Sequence, residues 1–139
     1  MASWQFRRGG VKDLEAVLAL WALAGLTVRD SDNVELLSRL LTFDPDAVLI
    51  ADDGSQMLGS LLAAWNGWRG GFYRLAVAPE HRRRGLATAL VREGESRLSR
   101  RGAVRVDVTA PTDDPVALGF WIAAGYQCES DRSRLVRQL

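Results

Sequence analysis

A chain of 139 residues is long enough for one sizeable core and too short for two, so a single domain over 1–139 is expected. With 47% hydrophobic residues, 25% charged residues and a net charge of +1, the chain reads as an ordinary folded protein rather than a general binder of polyanions. The single cysteine, Cys128, excludes an internal disulfide and a cysteine-cluster metal site, and no apolar run approaches the roughly 20 residues of a membrane span. The first residues, MASWQFRRGG, lack the apolar stretch of a signal peptide, so a cytoplasmic location is expected. The one histidine, His81, lies in an arginine-rich turn and reads as a solvated loop residue, which argues against histidine-based catalysis.

Trp4–Arg8 alternates as a first strand. After Gly9-Gly10, Asp13 is placed to cap a helix with Leu14, Val17, Leu18 and Trp21 on one face, and Gly25 is its stop. Asp32 with Glu35 three residues later has the form of a capping box for a second helix carrying Val34, Leu37, Leu40 and Leu41. Asp44-Pro45 ends it, because the residue before a proline is pushed out of helical angles. Strands follow at Ala47–Ala51, Met57–Trp65 and Phe72–Ala78, joined by turns at Asp53-Gly54 and at Asn66-Gly67 through Gly70-Gly71.

The second half changes character. A turn at Pro79–Arg84 leads to a helix over Gly85–Arg101 stopped by Gly102, then an alternating strand, Ala103–Thr109. A loop precedes a helix over Pro115–Ala124, stopped by Gly125, and Tyr126–Glu129 with Arg134–Arg137 read as a closing pair of strands. A strand-helix-strand unit beside a meander implies a mixed α/β sheet with helices packed on it.

The stretch Pro79–Leu90, PEHRRRGLATAL, concentrates three arginines before a glycine and a helix start. The first backbone N–H groups of a helix have no partner within it and sit at the positive end of the macrodipole. They form a ready seat for a phosphate. Gly85 lets a ligand approach the backbone, Ala87 carries only a methyl group, Thr88 could supply a hydroxyl, and Arg82, Arg83 and Arg84 surround the seat with charge. No GxxxxGK[ST] or GxGxxG segment occurs anywhere in the chain.

R-x-x-G-x-A over Arg82–Ala87, preceded by L-A-V-x-P-E, resembles the pyrophosphate-binding signature of the GCN5-related N-acetyltransferases, the GNAT family. Ala117–Tyr126, ALGFWIAAGY, is similar to that family's A-x-x-hydrophobic-Tyr-x-x-x-G-[FY] helix end, and Arg8–Val17 is similar to its first strand and helix. The hairpin Asn66–Gly70 is similar to a turn of some small bacterial members. The resemblance implies a mostly antiparallel α/β sheet splayed at its centre and flanked by about four helices. It implies acetyl-CoA as donor, a primary amine of a small molecule or peptide as acceptor, direct transfer between them, and no metal. Pantetheine would enter the splay along Leu75, Ala76 and Val77, bonded by the backbone of Leu75 and Val77. The diphosphate would rest on the N–H groups from about Arg83 to Thr88, Leu86 included. Asp114, Ala117 and Phe120 would begin a second cofactor-contacting helix, although the family often has Asn at the first of these positions. Small members often pair edge strands, so a homodimer is an open expectation.

Aminolysis of a thioester needs a neutral amine, a polarised carbonyl and a proton for the departing thiolate. The family's usual thiolate-protonating tyrosine aligns with Trp121, whose indole N–H is no general acid. That departure keeps open an alternative reading, a non-catalytic acyl-CoA-binding or regulatory protein. By strict alternation Gly71, Tyr73 and Leu75 share a face, which makes Tyr73 the candidate catalytic side chain, or else an aromatic packing residue. Asp107 on the next strand is a second candidate, or an exposed polar position. Asp30, Asp32 and Glu35 would attract a cationic acceptor or serve only as caps; Trp65 and Trp68 would wall the acceptor pocket or cover a core edge. Gly94 falls on the buried stripe Leu86, Leu90, Leu98, which points to close packing on the sheet. A nucleic-acid contact through the arginine turn lacks any accompanying motif.

Overall fold

The computed structural model describes residues 3–139. Residues up to Thr109 form one compact unit and residues from Ala110 a second.

In the first unit the chain runs β1 (Gln5–Arg8), α1 (Leu14–Leu23), α2 (Val34–Phe43), β2 (Val48–Asp52), β3 (Met57–Trp65), β4 (Gly70–Val77), α3 (Leu86–Arg100) and β5 (Val106–Val108). The strands form one sheet in the order β1-β2-β3-β4-β5. The first three pairings are antiparallel and β4–β5 is parallel, as a crossover through α3 requires. At the β2–β3 turn the Asp53 carboxyl is held down at about 2, because the N–H groups of Gln56 and Ser55 and the Ser55 hydroxyl bond its charged form.

The two faces of this sheet are buried differently. Leu14, Val17, Leu20 and Trp21 of α1 and Leu37 and Leu41 of α2 pack with Val48, Ile50, Leu62 and Ala76 of the sheet. The Trp21 indole reaches the one buried hydroxyl there, donating to Ser60 Oγ at 3.1 Å. On the other face lies the leucine stripe of α3: Leu86, Leu90 and Leu98 are each at most 2% exposed, and burial of each contributes about 1.5–3 kcal/mol. α3 lies close because glycines meet it. A Cβ at Gly59 would stand 2.9 Å from Leu90 Cδ1, one at Gly70 2.7 Å from Leu98 Cδ1, and one at Gly94 2.8 Å from Phe72 Cε1. The expectation for Gly94 is met.

Asp44, 1% exposed, clasps this unit together. It accepts from Arg101 at 2.7 Å, from the N–H of Trp65 at 3.3 Å and from that of Asp46 at 3.2 Å. The residue read as a helix stop therefore also joins the ends of α2, β3 and α3.

Several expectations are corrected. Asn33, not Asp32, caps α2, its Oδ1 accepting from Leu36 N at 2.8 Å. Asp13 gives its carboxylate to Arg7 (3.0 and 3.1 Å) and to Gly10 N, and a short 3-10 turn precedes α1. The Ala103–Thr109 strand shrinks to Val106–Val108, since only Gly70, Gly71 and Phe72 offer it partners.

In the second unit α4 spans Pro115–Ala123, and Trp121 stacks edge-on with Phe120 and Tyr126 at 5.1 Å each. The strands expected at Tyr126–Glu129 and Arg134–Arg137 are absent. Leu135 and Val136 are 92% and 69% exposed, so neither face of a strand here would be buried.

Candidate active site

The parallel pairing ends early. Gly70, Gly71 and Phe72 oppose Val106, Asp107 and Val108, after which β4 continues to Val77 without a β5 partner. The sheet thus opens between β4 and β5. Ala78 N donates to Leu58 O at 2.8 Å, so by antiparallel alternation the N–H and C=O of Val77 face the side β5 has left. An extended amide-bearing ligand can be received there as an added strand.

A bulge explains how β4 bends. Against β3 the register passes from Ser60↔Ala76 to Leu62↔Tyr73, leaving Arg74 and Leu75 together opposite Leu61. Arg74 adopts φ 56°, a conformation few non-glycine residues take. Its guanidinium is fixed on three sides: Nε and Nη2 bond Asp32, Nη1 donates to Thr27 O at 3.0 Å, and the group lies 5.8 Å over the Trp21 ring. Strict alternation therefore fails between Tyr73 and Leu75. Tyr73 pairs with Leu62 on the α1/α2 face, while beyond the bulge Val77 pairs with Gly59 on the α3 face. No sequence signal marked Arg74, because a bulge leaves no periodic trace.

The turn into α3 has the backbone geometry that a phosphate seat requires. Arg83 (φ 64°) and Gly85 (φ 81°) turn the chain left-handed into α3, which no side chain caps. Ala89 N is the first to reach back, to Gly85 O at 3.0 Å, so the N–H groups of Leu86, Ala87 and Thr88 have no partner within the helix. Nothing lies within 4 Å of where a Gly85 Cβ would stand, so conformation and ligand access, not packing, call for glycine here. Of the arginines, Arg82 donates to Ala24 O at the end of α1 (3.0 Å), Arg84 lies 3.4 Å from His81 Nδ1, and Arg83 is exposed. His81 is not the solvated residue expected: it is half-buried, with Nε2 enclosed and unpartnered.

Leu75, Ala76, Val77 and residues 82–88 are thus brought to one end of β4 and the start of α3. In the second unit Asp114 caps α4, its Oδ1 accepting from Ala117 N at 3.0 Å, which engages two groups expected to face a cofactor with each other. Phe120 lies one turn further on, against Trp121.

The acidic groups near α2 are mostly neutralised. Asp32 belongs to Arg74, and Glu35 lies 3.4 Å from Arg39, so Asp32 is no free seat for a cationic acceptor. The two tryptophans also part company. Trp65 is half-buried beside Asp44, whereas Trp68 is 68% exposed at the β3–β4 turn with the Arg69 guanidinium 4.1 Å over its ring. That turn is at the opposite end of β4 from the phosphate seat. Among the described residues no His/Cys/Asp/Glu group could hold a metal ion, and no helix is long and apolar enough to cross a membrane.

Comparison with known proteins agrees with this geometry. Residues 14–126 match the Acetyltransferase (GNAT) family. An acetyltransferase of Pectobacterium atrosepticum is 32% identical over 115 residues, covering 83% of this chain and 82% of that protein. One from Photorhabdus laumondii is 33% identical over 117 residues, 84% and 77% of the two chains. The fold is shared with the PaiA N-acetyltransferase of Thermoplasma acidophilum solved with coenzyme A (TM-score 0.78, 18% identity, 92% of each chain). It is shared also with the aminoglycoside 6′-N-acetyltransferase of Acinetobacter haemolyticus (TM-score 0.78, 19% identity, 97% and 99%). The chain belongs to the GNAT acetyltransferase family and is an N-acetyltransferase that draws its acetyl group from acetyl-CoA.

Proposed function

We propose that the enzyme moves the acetyl group directly to a primary amine of a small molecule or peptide, within one acetyltransferase domain, in the cytoplasm of a bacterium. The observation that carries the reading is the early end of the β4–β5 pairing beside the uncapped, glycine-led start of α3. The open edge of β4 accepts pantetheine along Leu75, Ala76 and Val77, through backbone groups of Leu75 and Val77. The N–H groups of Gly85, Leu86, Ala87 and Thr88 hold the diphosphate, with Arg82, Arg83 and Arg84 around it, and Asp114, Ala117 and Phe120 begin a second cofactor-contacting helix. For Arg82 this means exchanging Ala24 O for a phosphate oxygen, which is favourable because a charge-assisted bond replaces one to a neutral carbonyl.

Trp121 leaves the thiolate without a proton, and Tyr73 is the phenol available on β4, 54% exposed on the strand where the sheet opens. The family match runs across the boundary between the two units, which supports one functional domain. Bacterial relatives and the lack of a long apolar helix among the described residues support the location. The test is release of coenzyme A thiol from acetyl-CoA across a panel of primary amines: a lysine peptide, an N-terminal peptide amine, a polyamine and an aminoglycoside. Amine-dependent release with one class is expected. Tight coenzyme A binding without turnover on any of them would overturn the proposal in favour of a binding protein.

A further inference from the structure

Gly71 has no role in packing against α3, since the α3 face of β4 carries Gly70 and Phe72. What lies over Gly71 is the Tyr73 side chain. A Cβ there would stand 3.1 Å from Tyr73 Cε2, 3.2 Å from its hydroxyl oxygen and 3.4 Å from Cζ. The phenol is therefore folded back along β4 with its hydroxyl above Gly71. In the parallel ladder the register partner of Gly71 is Asp107, and register partners present their side chains to the same face. An exposed phenol and an exposed carboxylate thus share one face of the last paired rungs, at the point where β4 and β5 part. Neither makes a hydrogen bond to another described residue.

We propose that Tyr73 and Asp107 act as one proton-handling pair, in which Asp107 holds and deprotonates the acceptor's ammonium, and that Gly71 is a positioning residue whose missing side chain lets the Tyr73 phenol lie beside it. This rests on the acetyl-transfer reading above and deepens it: the acceptor is an amine that arrives charged. Asp107 takes one proton from the ammonium, and the freed lone pair attacks the thioester carbonyl carbon. As the C–N bond forms and the C–S bond breaks, the Tyr73 hydroxyl gives its proton to the departing sulfur. The second proton on nitrogen returns to the phenolate. The products are the amide, the thiol of coenzyme A and one proton, which Asp107 releases to water.

The experiment compares an acceptor that turns over in the panel with hydroxylamine, uncharged at about pH 8, by thiol release. Asp107→Asn should lower kcat for the charged amine roughly 100-fold but for hydroxylamine less than about fivefold, with Asp107→Glu restoring part of the loss. Gly71→Ala places its methyl in a strand, where alanine costs nothing in backbone entropy, so Tm should not fall. Its Cβ moves the phenol, so kcat should drop for both acceptors at unchanged KM for acetyl-CoA. If Gly71 acts only through Tyr73, the double variant with Tyr73→Phe is no slower than Tyr73→Phe alone. An equal loss on both acceptors for Asp107→Asn, or full activity of Gly71→Ala, overturns the inference while leaving the transferase intact. A wild-type protein that acetylates neither acceptor overturns both readings.

Discussion

Arg7 shows how a single side chain serves the fold. Its guanidinium bonds Asp13 and Asp52, joining β1 to the start of α1 and the end of β2. The hydrogen bonds from Arg7 hold the carboxyls of both Asp13 and Asp52 below the ordinary carboxylate range, and the same two bonds raise Arg7. A carboxyl whose folded pKa is depressed stabilises above its unfolded value, near 3.9, and loses that contribution as pH falls through the folded value. Arg7→Met should therefore lower stability by roughly 2 kcal/mol at pH 7, and the gap to wild type should be smaller at about pH 3, below the unfolded carboxyl value. Urea midpoints at the two pH values measure it; a gap unchanged in acid would mean that packing of the arginine stem carries the effect. None of these partners was legible in the sequence, because Arg7 and Asp52 lie 45 residues apart and Asp13 reads locally as a cap. Asp32 was misread for the same reason: local spacing cannot see that Arg74 stands across from it.

At the scale of elements, β3 and the core of α3 were readable because both carry sustained periodicity, and β3 spans Met57–Trp65 as expected. Gly94 was readable as a close approach because it interrupts a leucine stripe at helical spacing. The helix gains only about 0.4 kcal/mol in propensity when a glycine becomes valine, yet the Cβ would sit 2.8 Å from the buried Phe72 ring. Gly94→Val should thus destabilise by about 2–3 kcal/mol despite the better helix former, measurable by thermal or urea unfolding. Equal or higher stability would mean that α3 can lift from the sheet at little cost. The bulge at Arg74 and the missing C-terminal strands show the opposite case. A bulge has no period, and an alternating segment becomes a strand only where another strand accepts its hydrogen bonds.

At the scale of the molecule, the proposed donor site lies where strand pairing stops and α3 begins. Coenzyme A should stabilise the protein by about 2.7 kcal/mol at a hundred times its Kd. Gly85→Glu, which forces a side chain and a negative charge onto a left-handed position at the seat, should abolish the thermal shift; Arg82→Ala should weaken binding about tenfold. Unchanged shifts in both variants would remove the seat from the mechanism. The sequence by itself determined the donor: helix start, glycine and arginines are neighbours in the chain, and a phosphate seat built on backbone N–H groups needs only local residues in local order. Only the tertiary structure brings together the residues proposed for the acceptor side. Tyr73, Gly71 and Asp107 meet through strand register, and the bulge after Tyr73 puts Val77 on the opposite face from them. Register between strands more than 30 residues apart is fixed by packing of the whole sheet, and no local pattern encodes it.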